Sequence, residues 1–312
     1  MPSPMQALYK SGKSLQLCQR PVPEPGPGEV RVQMHCAGLC RTDLQVIAGQ
    51  IPALDPLIPG HEGAGEIVAT GLGVSTLQLG QRVTFHPYQG CGQCAHCQQA
   101  QPEHCPAARM LGVDRDGVFA EYVCLAARSC YLLPAGLSWQ KAAYTEPLAA
   151  ALGVLKAGLK PTDQGLVLGQ NRIAELTRRV LRAAGIEPLP QTWHELPPAS
   201  LDYAIESGLP GAELPALLQR LKPGGLLILK SRHLAPGLLP WQDLVRRELR
   251  LQGLYYGRFE QALDWLARDL LPLDDLFGKT YPLHAYAEFL ASDQEQSKRF
   301  LELTPCVASL QP

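Results

Sequence analysis

Four cysteines packed into fifteen residues, in the string CGQCAHCQQAQPEHC, constrain this chain more than any other feature. Cys91, Cys94, Cys97 and Cys105 follow the spacing C-x2-C-x2-C-x7-C. Four thiolates from one loop can close a tetrahedral shell around Zn²⁺ and leave no open position, the mark of a structural site. The loop is polar, with Gln98, Gln99, Gln101 and Glu103 between the sulfurs, so it offers no core in which free thiols could be buried. Without a secretion signal, closely spaced thiols read as metal ligands and not as disulfides. An iron–sulfur cluster would satisfy the same four cysteines.

The chain's 312 residues suffice for two domains of ordinary size. Hydrophobic residues make up 46% and charged residues 18%, a globular composition. With 28 basic against 29 acidic residues, no strong field draws the chain to nucleic acid or to an anionic membrane. The start, MPSPMQALYKSGKSLQL, has no apolar h-region, and no apolar run reaches 18 residues. A cytoplasmic protein with no nucleic-acid and no membrane partner is expected. Cys18, Cys36, Cys124, Cys130 and Cys306 are read as buried small apolar residues.

Up to about residue 135 the pattern is strand-like. EVRVQMHC alternates Val30, Val32 and Met34 with polar positions, and AGEIVAT, QRVTF and FAEYVCL follow. Gly- and Pro-rich strings separate them, which predicts a small irregular β-barrel with long loops. From about Trp139 the period changes. SWQKAAYTEPLAAALGVLKAG reads as a helical stretch with Ser138 as N-cap and Gly158 as its stop. GLVLG is then a short buried strand. RIAELTRRVLRAAG is an amphipathic helix, with Arg178, Arg179 and Arg182 on its outer face. LDYAIE and GLLILKS are strands around a helix near Leu214–Leu221, an alternation that implies a parallel sheet. The reading ends on a helix over Ala285–Leu303 packed back on the first domain.

Two further strings carry chemistry: AGLCRTDLQ (37–45) and PGHEGAGEIV (59–68). With the four-cysteine loop downstream, their order resembles the zinc-dependent medium-chain alcohol and polyol dehydrogenases, most specifically across about residues 25–150. The resemblance selects zinc for the four-cysteine loop and implies two zinc ions per chain. It implies Cys40 and His61 as ligands of a catalytic-type zinc, with Glu146 of EPLAAALG as the third protein ligand. Glu62 is a direct ligand or a close neighbour of the metal. Such a site keeps one position open. Thr42 is expected beside the substrate oxygen, where its hydroxyl can relay a proton. Asp43 is expected to orient His61 or nearby backbone. The fold implied is α/β with a β-barrel: a GroES-like catalytic domain (1–147 plus 282–312) and a reduced Rossmann-type parallel-sheet domain (148–281).

The second domain departs from the dinucleotide pattern. After the strand, G-x-G-x-x-G and an acid about 20 residues on are expected. The chain has Gly169, then Asn171 where the second glycine should let pyrophosphate approach. The next strand would be IEPLPQT, broken by Pro188 and Pro190, and the ribose-binding acid would fall near Thr192. The adenosine-binding half reads as truncated. Ser207, Gly208 and Lys230 resemble residues lining the nicotinamide side, so the cofactor-binding set is Gly169, Asn171, Ser207, Gly208 and Lys230. NAD or NADP is expected to bind weakly or not at all.

The function implied is hydride transfer between a small alcohol or polyol and NAD(P) in a homodimer or homotetramer. Two alternatives stay open: a non-catalytic or regulatory zinc protein, and a nicotinamide-free zinc lyase, isomerase or hydrolase.

Overall fold

The computed structural model describes residues 4–190, 192–231, 239–291 and 297–303. The chain divides into two compact units, residues 1–146 with 273–312 and residues 147–272.

The first unit opens with the hairpin β1 (Pro4–Ser11) and β2 (Ser14–Pro21), then β3 (Glu29–Gly38), helix α1 (Arg41–Ile47) and β4 (Glu62–Thr70). It continues through β5 (Arg82–Phe85), β6 (Tyr88–Gln89), α2 (Ala95–Gln98), β7 (Arg109–Met110), β8 (Tyr122–Ala126), β9 (Cys130–Leu132), α3 (Trp139–Ala143) and the start of α4 (Thr145–Leu152). The second unit holds β10 (Gly165–Leu168), α5 (Arg172–Ala183), β11 (Leu201–Glu206), α6 (Leu214–Arg220), β12 (Leu221–Leu229), α7 (Trp241–Arg246), β13 (Arg250–Gly253) and α8 (Phe259–Ala267). The chain then returns to the first unit with β14 (Phe277–Pro282), α9 (Tyr286–Leu290) and β15 (Lys298–Glu302).

In the first unit a seven-stranded sheet runs β14-β15-β3-β4-β5-β9, with β8 also paired to β3. β3 is its axis because its residues alternate: Val30, Val32, Met34 and Cys36 are buried while their neighbours are partly exposed. Val30, Val32 and Met34 join Ile67, Val83, Phe85, Phe119 and Phe289 in one apolar core. The register places Gly38 opposite Glu62 across β3 and β4, and opposite Phe300 across β3 and β15. The residues just past these strand ends therefore share one end of the sheet. Cys36 and Cys124 are buried, Cys18 and Cys130 half-buried, and Cys306 lies outside the described residues.

Two helix expectations are corrected. The stretch after Ser138 is broken into α3, α4 and a 3-10 turn over Gly153–Ala157. Ser138 still caps α3, accepting from the Lys141 N–H at 3.2 Å, and Gly158 still ends the run in a left-handed turn. The segment 285–303 is not a helix. Only Tyr286–Leu290 is helical, and Lys298–Glu302 is a strand antiparallel to β3. Lys298, Arg299, Phe300 and Leu301 are all buried there, so tertiary pairing overrides the local pattern. Residues 292–296 of that expectation lie outside the described residues.

The second unit is a four-stranded parallel sheet in the order β10-β11-β12-β13. A complete dinucleotide fold has two more strands beyond the first. No strand is found among the described residues between α5 and β11, so β10 is an edge. Its even-numbered carbonyls face β11, where Gln164 accepts from Asp202 N–H and Leu168 from Ser207 N–H. The odd-numbered carbonyls face the open side. Gly165 there accepts from Leu189 N–H at 2.7 Å, while Val167 and Gly169 accept from the Arg178 guanidinium at 3.0 and 2.7 Å. Trp193 is buried in the same apolar cluster as Leu166, Leu168 and Leu201. An arginine and one amide thus take up the outward carbonyls of the edge that further strands would otherwise cover. Arg178 is only 8% exposed, which corrects its placement on the outer face of α5. Among the described residues no helix is long and apolar enough to cross a membrane.

Replacing Arg178 by Met removes bonds from a charged donor to two edge carbonyls. Such bonds contribute about 1.5–3 kcal/mol each, so Arg178→Met should destabilise by about 2–4 kcal/mol in urea unfolding. Arg182→Met, on an exposed surface, should stay within about 0.5 kcal/mol. Equal stability of the two variants would contradict the edge-closing role.

Candidate active site and metal centres

The sulfurs of Cys91, Cys94, Cys97 and Cys105 all lie within 4.8 Å of one another. Two tight backbone turns bring them together. Gly92 adopts φ +80, and a Cβ at Gly90 would stand 2.6 Å from the Cys97 sulfur. Backbone N–H groups point at the sulfurs: Gln93 and Cys94 donate to Cys91 Sγ and Cys91 donates to Cys105 Sγ, each at 3.4 Å. These bonds lower the Cys91 thiol to about 6, whereas burial and the neighbouring sulfurs push Cys97 up to about 12. Four sulfurs this close do not all ionise beside one another without a cation. The donor set fits zinc. The sequence did not single out the brace behind this loop: His86 Nε2 lies 3.4 Å from Glu103 Oε2, and both side chains are 3% exposed.

The second cluster sits at the shared end of β3, β4 and β15. Cys40 is the N-cap of α1, two residues beyond β3, and His61 immediately precedes β4. Ligand atoms of Cys40, His61 and Glu62 lie within 4.8 Å of one another. Glu146, in the first turn of α4, places Oε1 4.0 Å from His61 Nε2. Gly60 makes the approach possible, since it takes φ +98 and a Cβ there would strike the Phe119 ring at 2.5 Å. Asp43 is 1% exposed and serves two groups. Its Oδ2 accepts from Cys40 N–H and its Oδ1 contacts His61 Nδ1, both at 2.8 Å. With Nδ1 engaged by the carboxylate, Nε2 is the ring atom left to face Cys40 and Glu146. Thr42 is buried in the first turn of α1.

Burial pulls the His61 imidazole toward neutrality, but the charges and hydrogen bonds of Asp43 and Cys40 outweigh it and hold the ring's pKa well above the ordinary 6.5. Surroundings that stabilise a proton on this ring also suit a metal cation there. Glu62 differs from Glu146 in carrying a counter-charge. Its Oε2 is ion-paired with Lys298 of β15, and the two side chains are 2% and 3% exposed. Gly38 leaves the space for that pair, since a Cβ there would stand 2.5 Å from Glu62 Oε2. The strand misread as helix is what supplies this lysine.

At the carboxyl edge of the parallel sheet, Gly169 takes φ +120 with the Ser207 carbonyl directly against it. Asn171 sits at φ −104, so no unusual backbone is asked of it. Its side chain caps α5, accepting from Ala174 N–H at 3.0 Å and donating to the Ser207 carbonyl. Asn171 is therefore knitted into the turn where a pyrophosphate would approach. Gly208 N–H donates to Ser231 Oγ. Lys230 is corrected from a cofactor contact to a brace: its ammonium donates to the Ala150, Leu254 and Tyr255 carbonyls at 2.7, 2.9 and 2.8 Å. Among the described residues, the adenosine side lacks the strand that would follow α5, and position 192 itself carries threonine.

Residues 26–135 match the family model of the alcohol dehydrogenase GroES-like domain. The starvation-sensing protein RspB of Escherichia coli K12 is 27% identical over 93% of this chain and 96% of its own length. Sorbitol dehydrogenase of Halalkalibacterium halodurans is 31% identical over 78% of this chain and 75% of its own. In fold, the chain is similar to an alcohol dehydrogenase (RspB) of Escherichia coli CFT073, solved with NADH. That match has TM-score 0.87 at 24% identity and covers 96% of this chain and 99% of the other.

The two clusters should respond differently to substitution. Cys94→Ser opens a shell whose metal contributes folding free energy directly, so a marked loss of melting temperature is expected. Asp43→Asn should leave folding largely intact but weaken the second metal about 10–100-fold, read by competition with a chelator. Equal melting losses with unchanged metal affinity would contradict this division of roles.

Proposed function

The chain belongs to the zinc-dependent medium-chain dehydrogenase family, and from that premise we propose that it oxidises a small alcohol or polyol with NAD(P), holding two zinc ions per chain. The observation that carries the reading is the convergence of Cys40, His61 and Glu62 ligand atoms within 4.8 Å, with the Glu146 carboxylate 4.0 Å from His61 Nε2. Cys91, Cys94, Cys97 and Cys105 would hold one ion. Cys40, His61 and Glu146 would hold the other, with Glu62 kept beside it by Lys298. When bound, a catalytic zinc supplies Lewis acidity that lowers the pKa of a hydroxyl in its open position.

The chain's own residues do the rest. Asp43 fixes the His61 ring and the Cys40 backbone, so the ligands stand in place before substrate arrives. Thr42 receives the hydroxyl proton, because its oxygen both accepts and donates. A bound nicotinamide would supply the acceptor for the carbon-bound hydrogen, and the loops after β11 and β12 would receive it. Recognition rests on the nicotinamide half, since Asn171 fills the pyrophosphate turn and no acid stands where a ribose would be held. Dinucleotide affinity is accordingly weak. An assembly of two or four copies accords with the family resemblance.

A panel of small alcohols and polyols with NAD, NADP and nicotinamide mononucleotide tests this reading. Oxidation that disappears in His61→Ala is expected, with NAD exceeding the mononucleotide in affinity by less than about tenfold, or about 1.4 kcal/mol. Micromolar NAD binding far tighter than the mononucleotide would refute weak adenosine recognition. No binding of any of the three would overturn the oxidoreductase in favour of nicotinamide-free zinc chemistry or a regulatory role.

A further inference from the structure

The carboxyl ends of all four parallel strands are tied together by side chains, and the centre of the tie is a buried glutamate. Glu206, the last residue of β11, is 1% exposed. Its Oε2 accepts from the N–H groups of Gly208 and Leu209, both at 3.3 Å, on the loop that leaves its own strand. Its Oε1 accepts from Lys230 N–H at 3.3 Å and Ser231 N–H at 2.9 Å, on the loop that leaves β12. A carboxylate offers only acceptors, which suits converging N–H groups; two of the four are shared, Gly208 N–H with Ser231 Oγ and Lys230 N–H with the Glu206 main-chain carbonyl at 3.0 Å. Lys230 carries the tie onward to the Leu254 and Tyr255 carbonyls beyond β13. Asn171 carries it the other way, from the start of α5 to the Ser207 carbonyl.

This network crosslinks two loops that leave the sheet, and one of them is anchored in the core: Leu209 belongs to the apolar cluster of the unit with Leu166, Leu201, Leu217 and Leu227. Burying a carboxylate is costly unless it is fully bonded, and an apolar residue would fill a core position at lower cost. What the carboxylate secures is the conformation of residues 207–209 and 230–231. Parallel sheets of this type receive ligands outside their carboxyl ends. Loops left to themselves there would lose freedom on binding, and a preformed rim avoids that loss.

We propose that Glu206 is a positioning residue for the nicotinamide half of the cofactor: by binding the backbone N–H groups of two loops it fixes the shape of the rim against which that half would lie. The inference rests on the nicotinamide reading above. Asp202 provides an internal control. It lies at the opposite, amino end of β11, where it accepts from Gln164 N–H and from Lys222, each at 2.8 Å. Both positions bind one carboxylate to the same strand, but only Glu206 borders the ligand edge.

The test compares Glu206→Gln with Asp202→Asn in the zinc-loaded protein. It reads the dissociation constants of NADH and reduced nicotinamide mononucleotide by fluorescence, KM for cofactor and alcohol, zinc content and melting temperature. Glu206→Gln should weaken both nicotinamides in parallel by about tenfold to a hundredfold and raise the cofactor KM. The alcohol KM and zinc content should not move. Asp202→Asn should lower the melting temperature without changing either affinity. Should Glu206→Gln fail to fold, Ser231→Ala removes only the hydroxyl that receives Gly208 N–H and should weaken binding by about threefold to tenfold. Wild-type affinity in these rim variants, or an equal loss in Asp202→Asn, would overturn the inference. Absence of nicotinamide binding by the wild-type protein would instead bring down the reading on which it rests.

Discussion

One buried carboxylate holds the candidate metal ligands Cys40 and His61 in a single arrangement. Asp43 receives the Cys40 amide on one oxygen and contacts the His61 ring on the other, each at 2.8 Å. It thereby fixes the entry of α1, the position of a thiol and the usable nitrogen of an imidazole in one arrangement. The register of β3 with β4 makes this possible by setting Gly38 against Glu62, so that Cys40 and His61 emerge at the same end of the sheet. A slip of one residue would turn every side chain of the strand to its other face and separate the ligands. The barrel is thus the scaffold whose pairing is read out at its edge as a ligand set.

The same edge shows how charge is balanced. Glu62 and Lys298 are both buried, and the lysine comes from the last described strand. Removing one partner of such a pair strands the other charge in the interior, which is far more costly than never having buried either. Completion of the sheet by β15 and the charge balance of the candidate ligand cluster are therefore one event. A second anionic carboxylate beside Cys40 would otherwise add negative charge around the metal and reduce its Lewis acidity. Paired with a cation, Glu62 adds less of it.

The candidate ligand residues stand out in the sequence because metal chemistry admits few side chains and the spacings are short. The four cysteines, Cys40, His61 and the carboxylate of Glu146 are of that kind. The partners that hold the ligands were less legible. Asp43 lies within helix reach of Cys40 and could be anticipated, but Lys298 stands 236 residues from Glu62 along the chain, and its strand was misread as helix. The short segment KRFLE carries no clear period, and only pairing with β3 makes it extended. Arg178 was misplaced for a different reason. A charged residue on an amphipathic helix belongs by default in water, and only the missing neighbour of β10 creates carbonyls for it to satisfy. Lys230 likewise reads as a ligand contact until its three carbonyl partners are seen.

The shortened parallel sheet carries the reading of the cofactor. What remains is a braced rim along β10 to β13, closed at one edge by Arg178 and Leu189. The central claim is that the first unit holds two chemically distinct metals, one closed by sulfur and one open for chemistry. Zinc K-edge X-ray absorption of the purified protein tests that claim most directly. The account predicts a mixed sulfur and nitrogen/oxygen environment in the wild-type protein that becomes sulfur-only in His61→Ala, with loss of one of two zinc ions. A sulfur-only environment in the wild type, or an unchanged spectrum in the variant, would contradict it.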